Sequence, residues 1–247
     1  MIRGIYLLPN LFTMGNLFCG FFAMISAIKG DYGTAATAII VANVFDILDG
    51  KVARMMKATS RFGMEFDSLA DLVSFGVAPA LLIYQWSLSS FGRFGWLAAF
   101  LFVACGALRL ARYNVQAESA PKGSFNGLPI PAAASMAATT VLIADHLGAT
   151  GIERNLVLLL LCYGLAFLMV SNVKYPAFKE SIFQGRAPFI ALVMMAVVFI
   201  VIAAEPQISL FVMAVIYAFS GPVKALLLLT GLLKKPAQGV EKERVAH

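Results

Sequence analysis

Charged residues are scarce in this sequence. Only 13% of its 247 residues are Asp, Glu, Lys or Arg, whereas soluble globular domains carry about 25%. Hydrophobic residues make up 60% of the chain. A soluble fold is therefore disfavoured, and the composition indicates a membrane protein.

Cysteine and histidine are also rare. The three cysteines lie singly and far apart, and the two histidines occupy positions 146 and 247. Metal sites built from Cys and His need closely spaced ligands, so no site of that kind is expected. The sequence also lacks a soluble domain, internal repeats and low-complexity segments.

What the chain does contain is a series of long apolar stretches. A helix needs about 20 residues to cross a bilayer, and the second stretch reaches that length only by continuing into the acidic segment after it. The first is too long for a signal-peptide core and lacks a cleavage site. The stretches are 11–28, 34–45, 69–86, 94–108, 131–147, 155–171, 187–204 and 208–233.

We therefore predict an all-α, polytopic bundle of eight transmembrane helices. It forms a single domain over residues 1–233, followed by a polar basic tail over residues 234–247. Eight spans place both termini on one side of the membrane, together with 16 of the 19 Lys and Arg residues. Basic loops stay in the cytoplasm, so both termini are predicted to be cytosolic. A basic rim facing anionic lipids accounts for the net charge of +6, so no nucleic-acid partner is expected.

An acidic segment interrupts the apolar pattern. Residues 45–76 read FDILDGKVARMMKATSRFGMEFDSLADLVSFG. Asp46 and Asp49 are three residues apart and Asp67 and Asp71 four apart, so each pair shares a helix face. The loop RMMKATSRF joins the two helices, so both pairs are expected to meet near the cytosolic surface. Four carboxylates repel one another and require a cation, and oxygen ligands suit Mg²⁺, Mn²⁺ or Ca²⁺.

Small residues beside these carboxylates leave room for a ligand. Gly50 and Ala53 share the face of the first pair, and Gly63 lies one turn before the second. Arg54 offers guanidinium donors to phosphate oxygens. Carboxylates, metal and arginine are together suited to phosphoryl transfer by two metal ions. The alternative is a solvated loop whose aspartates pair with nearby basic residues, but such a loop would not keep helical phase on both sides of a turn.

The acidic segment resembles the signature of the CDP-alcohol phosphotransferase family. The resemblance implies a helical membrane enzyme, a homodimer that binds divalent metal ions (Mg²⁺ or Mn²⁺, two per site) at its cytosolic face. It would transfer a phosphoalcohol from a CDP-linked donor to an acceptor hydroxyl and release CMP. The pattern matches without a departure and reads Asp46-x₂-Asp49-Gly50-x₂-Ala53-Arg54-x₈-Gly63-x₃-Asp67-x₃-Asp71.

The resemblance also implies roles for individual residues. Asp46, Asp49 and Asp67 would bind metal, and Asp71 would act as general base while also touching a metal. Polar residues of the first helix would contact the nucleotide or the acceptor, although caps are an alternative role for them. The residues expected to bind the CDP group are Asn10, Thr13, Asp49, Gly50, Ala53, Arg54 and Gly63.

The acceptor is indicated by other segments. Four segments within residues 9–179 resemble the bacterial and archaeal family members that join CDP-diacylglycerol to L-serine: PNLFTMGNLFCG, ALRLARYNV, FNGLPIPAAA and MVSNVKY. This implies a prokaryotic cytoplasmic membrane. Members that use glycerol 3-phosphate carry arginine where this chain has Asn16. The predicted serine- or phosphate-binding residues are Asn16, Lys57, Ser60, Arg61, Arg109, Arg112, Asn114, Asn172 and Lys174.

Several alternatives remain at the level of sequence. Arg109 and Arg112 could serve only as membrane anchors with snorkelling stems. Another acceptor, such as an inositol phosphate, glycerol 3-phosphate or choline, would keep the same signature. A cation transporter would place acidic residues at mid-depth in several spans, whereas these cluster at one end. A lipid pyrophosphatase would not account for the whole signature.

Overall fold

The computed structural model describes residues 7–56, 60–116, 124–148, 156–176, 200 and 204–230. Helices dominate this part of the chain. In order, they are α1 (Leu7–Ile28), α2 (Tyr32–Met55), α3 (Arg61–Asp71), a π-helical segment (Leu72–Val77), α4 (Ala78–Trp86), a 3₁₀ turn (Leu88–Phe91), α5 (Arg93–Gln116), α6 (Ile130–His146), α7 (Leu156–Val170) and α8 (Pro206–Leu229).

Four of these helical units are long and apolar enough to cross a membrane: Leu7–Ile28, Arg61–Trp86, Arg93–Gln116 and Pro206–Leu227. The predicted all-α membrane fold is confirmed at this level. Of the predicted eight spans, the one over residues 187–204 lies almost wholly outside the described residues. The predicted tail over residues 234–247 does as well.

Helix α2 runs through the first half of the acidic segment. This continuation was predicted because the apolar stretch 34–45 alone is shorter than a membrane span. Its N-terminus is capped because Asp31 Oδ1 accepts a hydrogen bond from the Thr34 backbone N–H at 3.1 Å. The loop expected over residues 54–62 is shorter than predicted, because α2 ends at Met55 and α3 begins at Arg61. Both aspartate pairs therefore lie on regular helix.

The third long unit is one continuous rod built from α3, the π-helical segment and α4. The sequence predicted an ordinary helix here, and the six-residue π segment is a departure from it. Pro79 follows this segment and has no backbone N–H, so regular i→i−4 bonding fails close to it. π-helical turns are rare and often lie at functional sites, and this one begins directly after Asp71.

Small residues let the helices pack closely around α1 and α2. Ala23, Ala35 and Ala36 are fully buried. A Cβ on Gly20 would come within 2.6 Å of Ser74 Cα, so the backbones of α1 and the π segment approach each other directly. Close approach through small residues is typical of helices packed in membranes. It fixes α1 against the rod that carries the second aspartate pair.

Two short strands were not predicted from the sequence. β1 (Ser124–Asn126) pairs antiparallel with β2 (Lys174–Pro176). Gly127 follows β1 with φ +82°, which favours glycine, and its N–H donates to the Val173 carbonyl at 2.9 Å. The pairing brings the connection before α6 against the connection after α7.

Candidate active site

Three of the four predicted aspartates form a compact cluster. Asp46 and Asp49 lie on α2 and Asp67 on α3, and one carboxylate oxygen from each lies within 4.8 Å of the others. Asp71 lies beside them, with its carboxyl group close to that of Asp46. The helical spacing and the short connection between α2 and α3 together produce this arrangement.

Helix α1 donates a hydrogen bond to each helix of the cluster. Thr13 Oγ1 donates to Asp49 Oδ2 at 2.9 Å, and Asn16 Nδ2 donates to Asp71 Oδ1 at 3.1 Å. Both donors are buried, as are both carboxyl groups. Hydrogen bonds to ionised groups are stronger than neutral ones, so α1 fixes the orientation of two carboxylates.

The π-helical segment holds Asn16 from the other side. Ser74 Oγ donates to the Asn16 backbone carbonyl at 2.9 Å, so the third residue of the π segment is tied to Asn16 on α1. The sequence did not single out Ser74. Its role depends on the packing of the π segment against α1, which no local sequence pattern shows.

The donor set fits a divalent cation. Carboxylate oxygens are the preferred ligands of Mg²⁺ and Mn²⁺, and Asp46, Asp49 and Asp67 offer three of them. Asp67 Oδ1 is buried and has no hydrogen-bond partner among the described residues. The contact between Asp46 and Asp71 needs a proton or a cation between two groups of like charge. An ion at this position would satisfy all of these groups.

The part of α2 beside the carboxyl cluster leaves open space at Gly50. Gly50 is exposed, and a Cβ added there would meet no described atom within 4 Å. Ala53 is half-buried and Arg54 is exposed, with its Nε donating to the Gly50 carbonyl at 3.0 Å. Val44, Ile47 and Leu48 are exposed apolar neighbours on the same helix.

The start of α3 contains three more of the predicted residues. Ser60 caps the helix, its Oγ accepting from the Gly63 N–H at 3.0 Å. A Cβ on Gly63 would lie 3.5 Å from Asn10 Oδ1, so Asn10 on α1 is close to this helix start. Arg61 is exposed, and Lys57 lies outside the described residues.

Polar groups on α5 face the second aspartate pair. Arg109 is only 8% exposed and interacts electrostatically with Asp71 and with Tyr217 of α8. Arg109 Nε and Asn16 Oδ1 are both buried without a partner among the described residues. A buried donor and a buried acceptor thus both lie near Asp71, which is the arrangement a small zwitterion would satisfy.

The far end of α5 joins the remaining predicted residues. Arg112 Nη2 donates to Asn172 Oδ1 at 2.8 Å, and Asn114 Nδ2 donates to Ser68 Oγ at 3.0 Å. The second contact ties α5 to α3 beside Asp67. The Lys174 side chain is outside what the structure describes. Neither Ser68 nor Tyr217 was predicted, because only the tertiary fold brings them to α5.

Fold and site together define an integral membrane helical protein whose buried carboxyl cluster is suited to a divalent cation. The sequence profile of the CDP-alcohol phosphatidyltransferase family matches residues 6–170, which include every residue of the cluster. The chain belongs to this family.

Relatives with named activities resemble the chain over much of its length. The CDP-diacylglycerol–serine O-phosphatidyltransferase of Helicobacter pylori is 36% identical over 234 residues, covering 94% of this chain and 96% of the relative. The protein of the same name from Bacillus subtilis is 36% identical, covering 72% and 97%. The archaetidylserine synthase of Methanothermobacter thermautotrophicus is 37% identical, covering 68% and 69%.

Proposed function

We propose that this protein is a CDP-diacylglycerol–serine O-phosphatidyltransferase. It transfers the phosphatidyl group of CDP-diacylglycerol to the hydroxyl of L-serine and releases CMP. The observation that carries this proposal is the cluster of Asp46, Asp49 and Asp67 with Asp71 held beside it by Asn16. The family membership and the names of the relatives support it.

Two divalent cations, Mg²⁺ or Mn²⁺, belong to this proposal. Asp46, Asp49 and Asp67 hold them, and Asp71 contributes an oxygen. When bound, the cations neutralise the diphosphate and make its phosphorus more electrophilic. Thr13 keeps Asp49 oriented through its 2.9 Å hydrogen bond, so the ligand set is ordered before substrate arrives.

The CDP group lies on the open side of α2 in this proposal. Gly50 and Ala53 leave room for the cytidine, and Arg54 pairs with the diphosphate through donors of its guanidinium. Its Nε bond to the Gly50 carbonyl holds the guanidinium over this face. Asn10, Thr13 and Gly63 complete the site from α1 and the start of α3.

The Asp71 carboxylate is the general base. It takes the proton of the serine hydroxyl, whose oxygen then attacks the phosphorus that carries the diacylglycerol group. The bond from that phosphorus to the CMP oxygen breaks, and CMP leaves with the electron pair. A carboxylate is a weak base for an alcohol near pH 7, so the orientation imposed by Asn16 is important for the rate.

Serine is recognised as a zwitterion. Arg109 Nε supplies a buried donor for the serine carboxylate, and Asn16 Oδ1 supplies a buried acceptor for its ammonium. A site that contains buried polar atoms discriminates strongly against ligands that lack the matching group, because those atoms are then left unpaired. Further contacts to serine or to phosphate come from Lys57, Ser60, Arg61, Arg112, Asn114, Asn172 and Lys174.

The proposal places this site at the cytosolic face of a prokaryotic cytoplasmic membrane. The chain crosses the bilayer eight times as one domain over residues 1–233, with both termini in the cytosol, and forms a homodimer. The excess of Lys and Arg on one side supports this orientation. Attaching a reporter to each terminus in cells would test it, and a periplasmic or extracellular reporter signal would contradict it.

The decisive experiment follows CMP release by purified protein in vesicles containing CDP-diacylglycerol and Mg²⁺ or Mn²⁺. Serine, glycerol 3-phosphate, inositol phosphate and choline are added separately. Release that depends on serine is expected. Release with another alcohol alone would overturn the acceptor, release without any alcohol would indicate a pyrophosphatase, and no release together with cation flux would indicate a transporter.

A further inference from the structure

Helix α8 contains a proline whose missing hydrogen bond is replaced from another segment. Pro222 lies inside α8 and has no N–H, so it cannot donate to the carbonyl of Ala218, four residues earlier. That carbonyl instead accepts a hydrogen bond from the Tyr175 hydroxyl of β2 at 2.9 Å. A buried carbonyl left without a donor is costly, so this contact stabilises both segments.

The Tyr175 ring is seated closely on α8. A Cβ on Gly221 would clash with Tyr175 Cζ and lie 2.7 Å from both Cε1 and Cε2, so only glycine leaves room for the ring. The ring of Tyr217 lies 5.8 Å from that of Tyr175. Burial, with a smaller contribution from Tyr217, raises the pKa of Tyr175 to about 12. The hydroxyl therefore stays protonated near neutral pH and remains a donor.

Tyr175 is connected by a few residues to the acceptor side of the site, by which we mean Arg109, Arg112 and Asn172. Asn172, which accepts from Arg112, lies three positions before it, and the intervening Val173 carbonyl accepts from Gly127. On α8, Tyr217 interacts electrostatically with Arg109. The contact of Tyr175 with α8 thus fixes a connection whose other end meets Arg112.

We propose that Tyr175 is a positioning residue that sets acceptor affinity by holding the segment after α7 against α8, so that Asn172 presents its oxygen to Arg112. The inference rests on the proposed function. Tyr175, Ala218 and Pro222 all lie beyond residue 170, where the family match ends. Helix α8 therefore acts as an additional support of the acceptor side rather than only as a membrane anchor.

Tyr175→Phe tests the inference because it removes the hydroxyl and keeps the ring. The KM for serine is expected to rise about 3- to 10-fold, the loss of roughly one hydrogen bond, while the KM for CDP-diacylglycerol stays within about twofold. Tyr163→Phe is the matched control, because its hydroxyl also donates to a backbone carbonyl, that of Phe94, away from the site. It should leave the serine KM unchanged.

Pro222→Ala distinguishes an effect of Tyr175 on the stability of the protein from an effect on the position of Asn172. In the Tyr175→Phe background it supplies a new N–H to the Ala218 carbonyl, but it cannot restore the link between β2 and α8. The double variant should therefore regain thermal stability while keeping the raised KM for serine. It also remains measurable if Tyr175→Phe alone does not fold. An unchanged serine KM, or its recovery together with stability, would overturn the inference.

A double-mutant cycle of Tyr175→Phe with Asn172→Ala tests whether Tyr175 affects the serine KM through Asn172. If Tyr175 acts through that residue, Tyr175→Phe should add little to the serine KM already raised by Asn172→Ala, whereas independent effects would multiply. Wild-type protein is assayed first. Absence of serine-dependent CMP release in wild type would refute the proposed function, whereas normal release with multiplicative effects refutes only the positioning role.

Discussion

Asn16 and Asp71 are joined by a 3.1 Å hydrogen bond between α1 and the last residue of α3. Asn16 is completely buried, and its backbone carbonyl is held in turn by Ser74. The predicted base is thus oriented by a residue on a different helix, and that residue is itself fixed.

Replacing Asn16 by leucine should therefore lower kcat more than it changes the KM for CDP-diacylglycerol. The hydrogen bond to a charged group contributes about 1.5–3 kcal/mol, so a 10- to 100-fold loss in kcat is expected. Initial rates of CMP release at saturating serine measure it. Asp71→Asn gives the lower limit of the rate, with CDP-diacylglycerol binding largely retained.

Asn43→Leu is a matched control for this prediction. Asn43 is also an intramembrane amide, but it bonds to the Ile39 carbonyl and to Ser135 Oγ rather than to a carboxylate. Its loss should leave kcat close to wild type. Equal losses in both variants would mean that Asn16 acts only through packing.

Metal removal should abolish activity reversibly. Chelation with EDTA is expected to stop CMP release, and added Mg²⁺ or Mn²⁺ to restore it. Asp67→Asn should raise the Mg²⁺ concentration needed for half-maximal activity by at least about tenfold, because it removes one charged ligand. Glu65→Gln, an exposed acid on the same helix, should not. Full activity in EDTA would contradict the metal assignment.

Replacing Gly50 by alanine should raise stability but weaken the binding of CDP-diacylglycerol. Gly50→Ala adds a methyl group into open space and removes the helical cost of glycine, about 1 kcal/mol. Stability should rise slightly, whereas the KM for CDP-diacylglycerol should rise about tenfold because the methyl occupies the nucleotide side. Thermal unfolding and CMP release measure the two effects.

Gly20→Ala should instead lower stability. Its Cβ would approach the Ser74 backbone to 2.6 Å, and overpacking of this kind costs about 1–3 kcal/mol. Thermal unfolding in detergent measures the change. For the Gly50→Ala variant of the preceding paragraph, a less stable protein with normal kinetics would contradict the assignment of Gly50 to the nucleotide site.

Arg112→Ala should raise the KM for serine more than the KM for CDP-diacylglycerol. The substitution removes a guanidinium held at 2.8 Å from Asn172, and we expect about a tenfold effect on serine. Steady-state kinetics with each substrate varied separately would show it. Arg93→Ala, an exposed arginine at the other end of α5, serves as control. An unchanged serine KM would remove Arg112 from the acceptor site.

The acidic cluster could be predicted from the sequence because helical spacing determines which aspartates share a face. Once Asp46 and Asp49 share one face and Asp67 and Asp71 another, a short connection is enough to bring the pairs together. The continuation of α2 into the acidic segment, as far as Met55, was also predicted. These features depend on local geometry and on the solvent, which a sequence encodes directly.

Other features depend on contacts between distant segments. The hydrogen bond from Tyr175 to the Ala218 carbonyl joins residues 43 positions apart, and no local pattern identifies that pair. The pairing of β1 with β2 also joins segments that lie about 50 residues apart in the chain. Arg112 and Asn172 were both selected as polar cytosolic residues, and the tertiary fold determines that they meet.

Val44, Ile47 and Leu48 form an exposed apolar strip on α2, on the helix face opposite Asp46 and Asp49. The strip suits α2 to a surrounding of lipid, so a lipid whose head group lies at the carboxyl groups keeps its acyl chains among other lipids during turnover. Moving such chains into water would cost about 0.8 kcal/mol for each CH₂ group. Donor and product then exchange by two-dimensional diffusion, and the rate follows the mole fraction of donor in the bilayer rather than its bulk concentration.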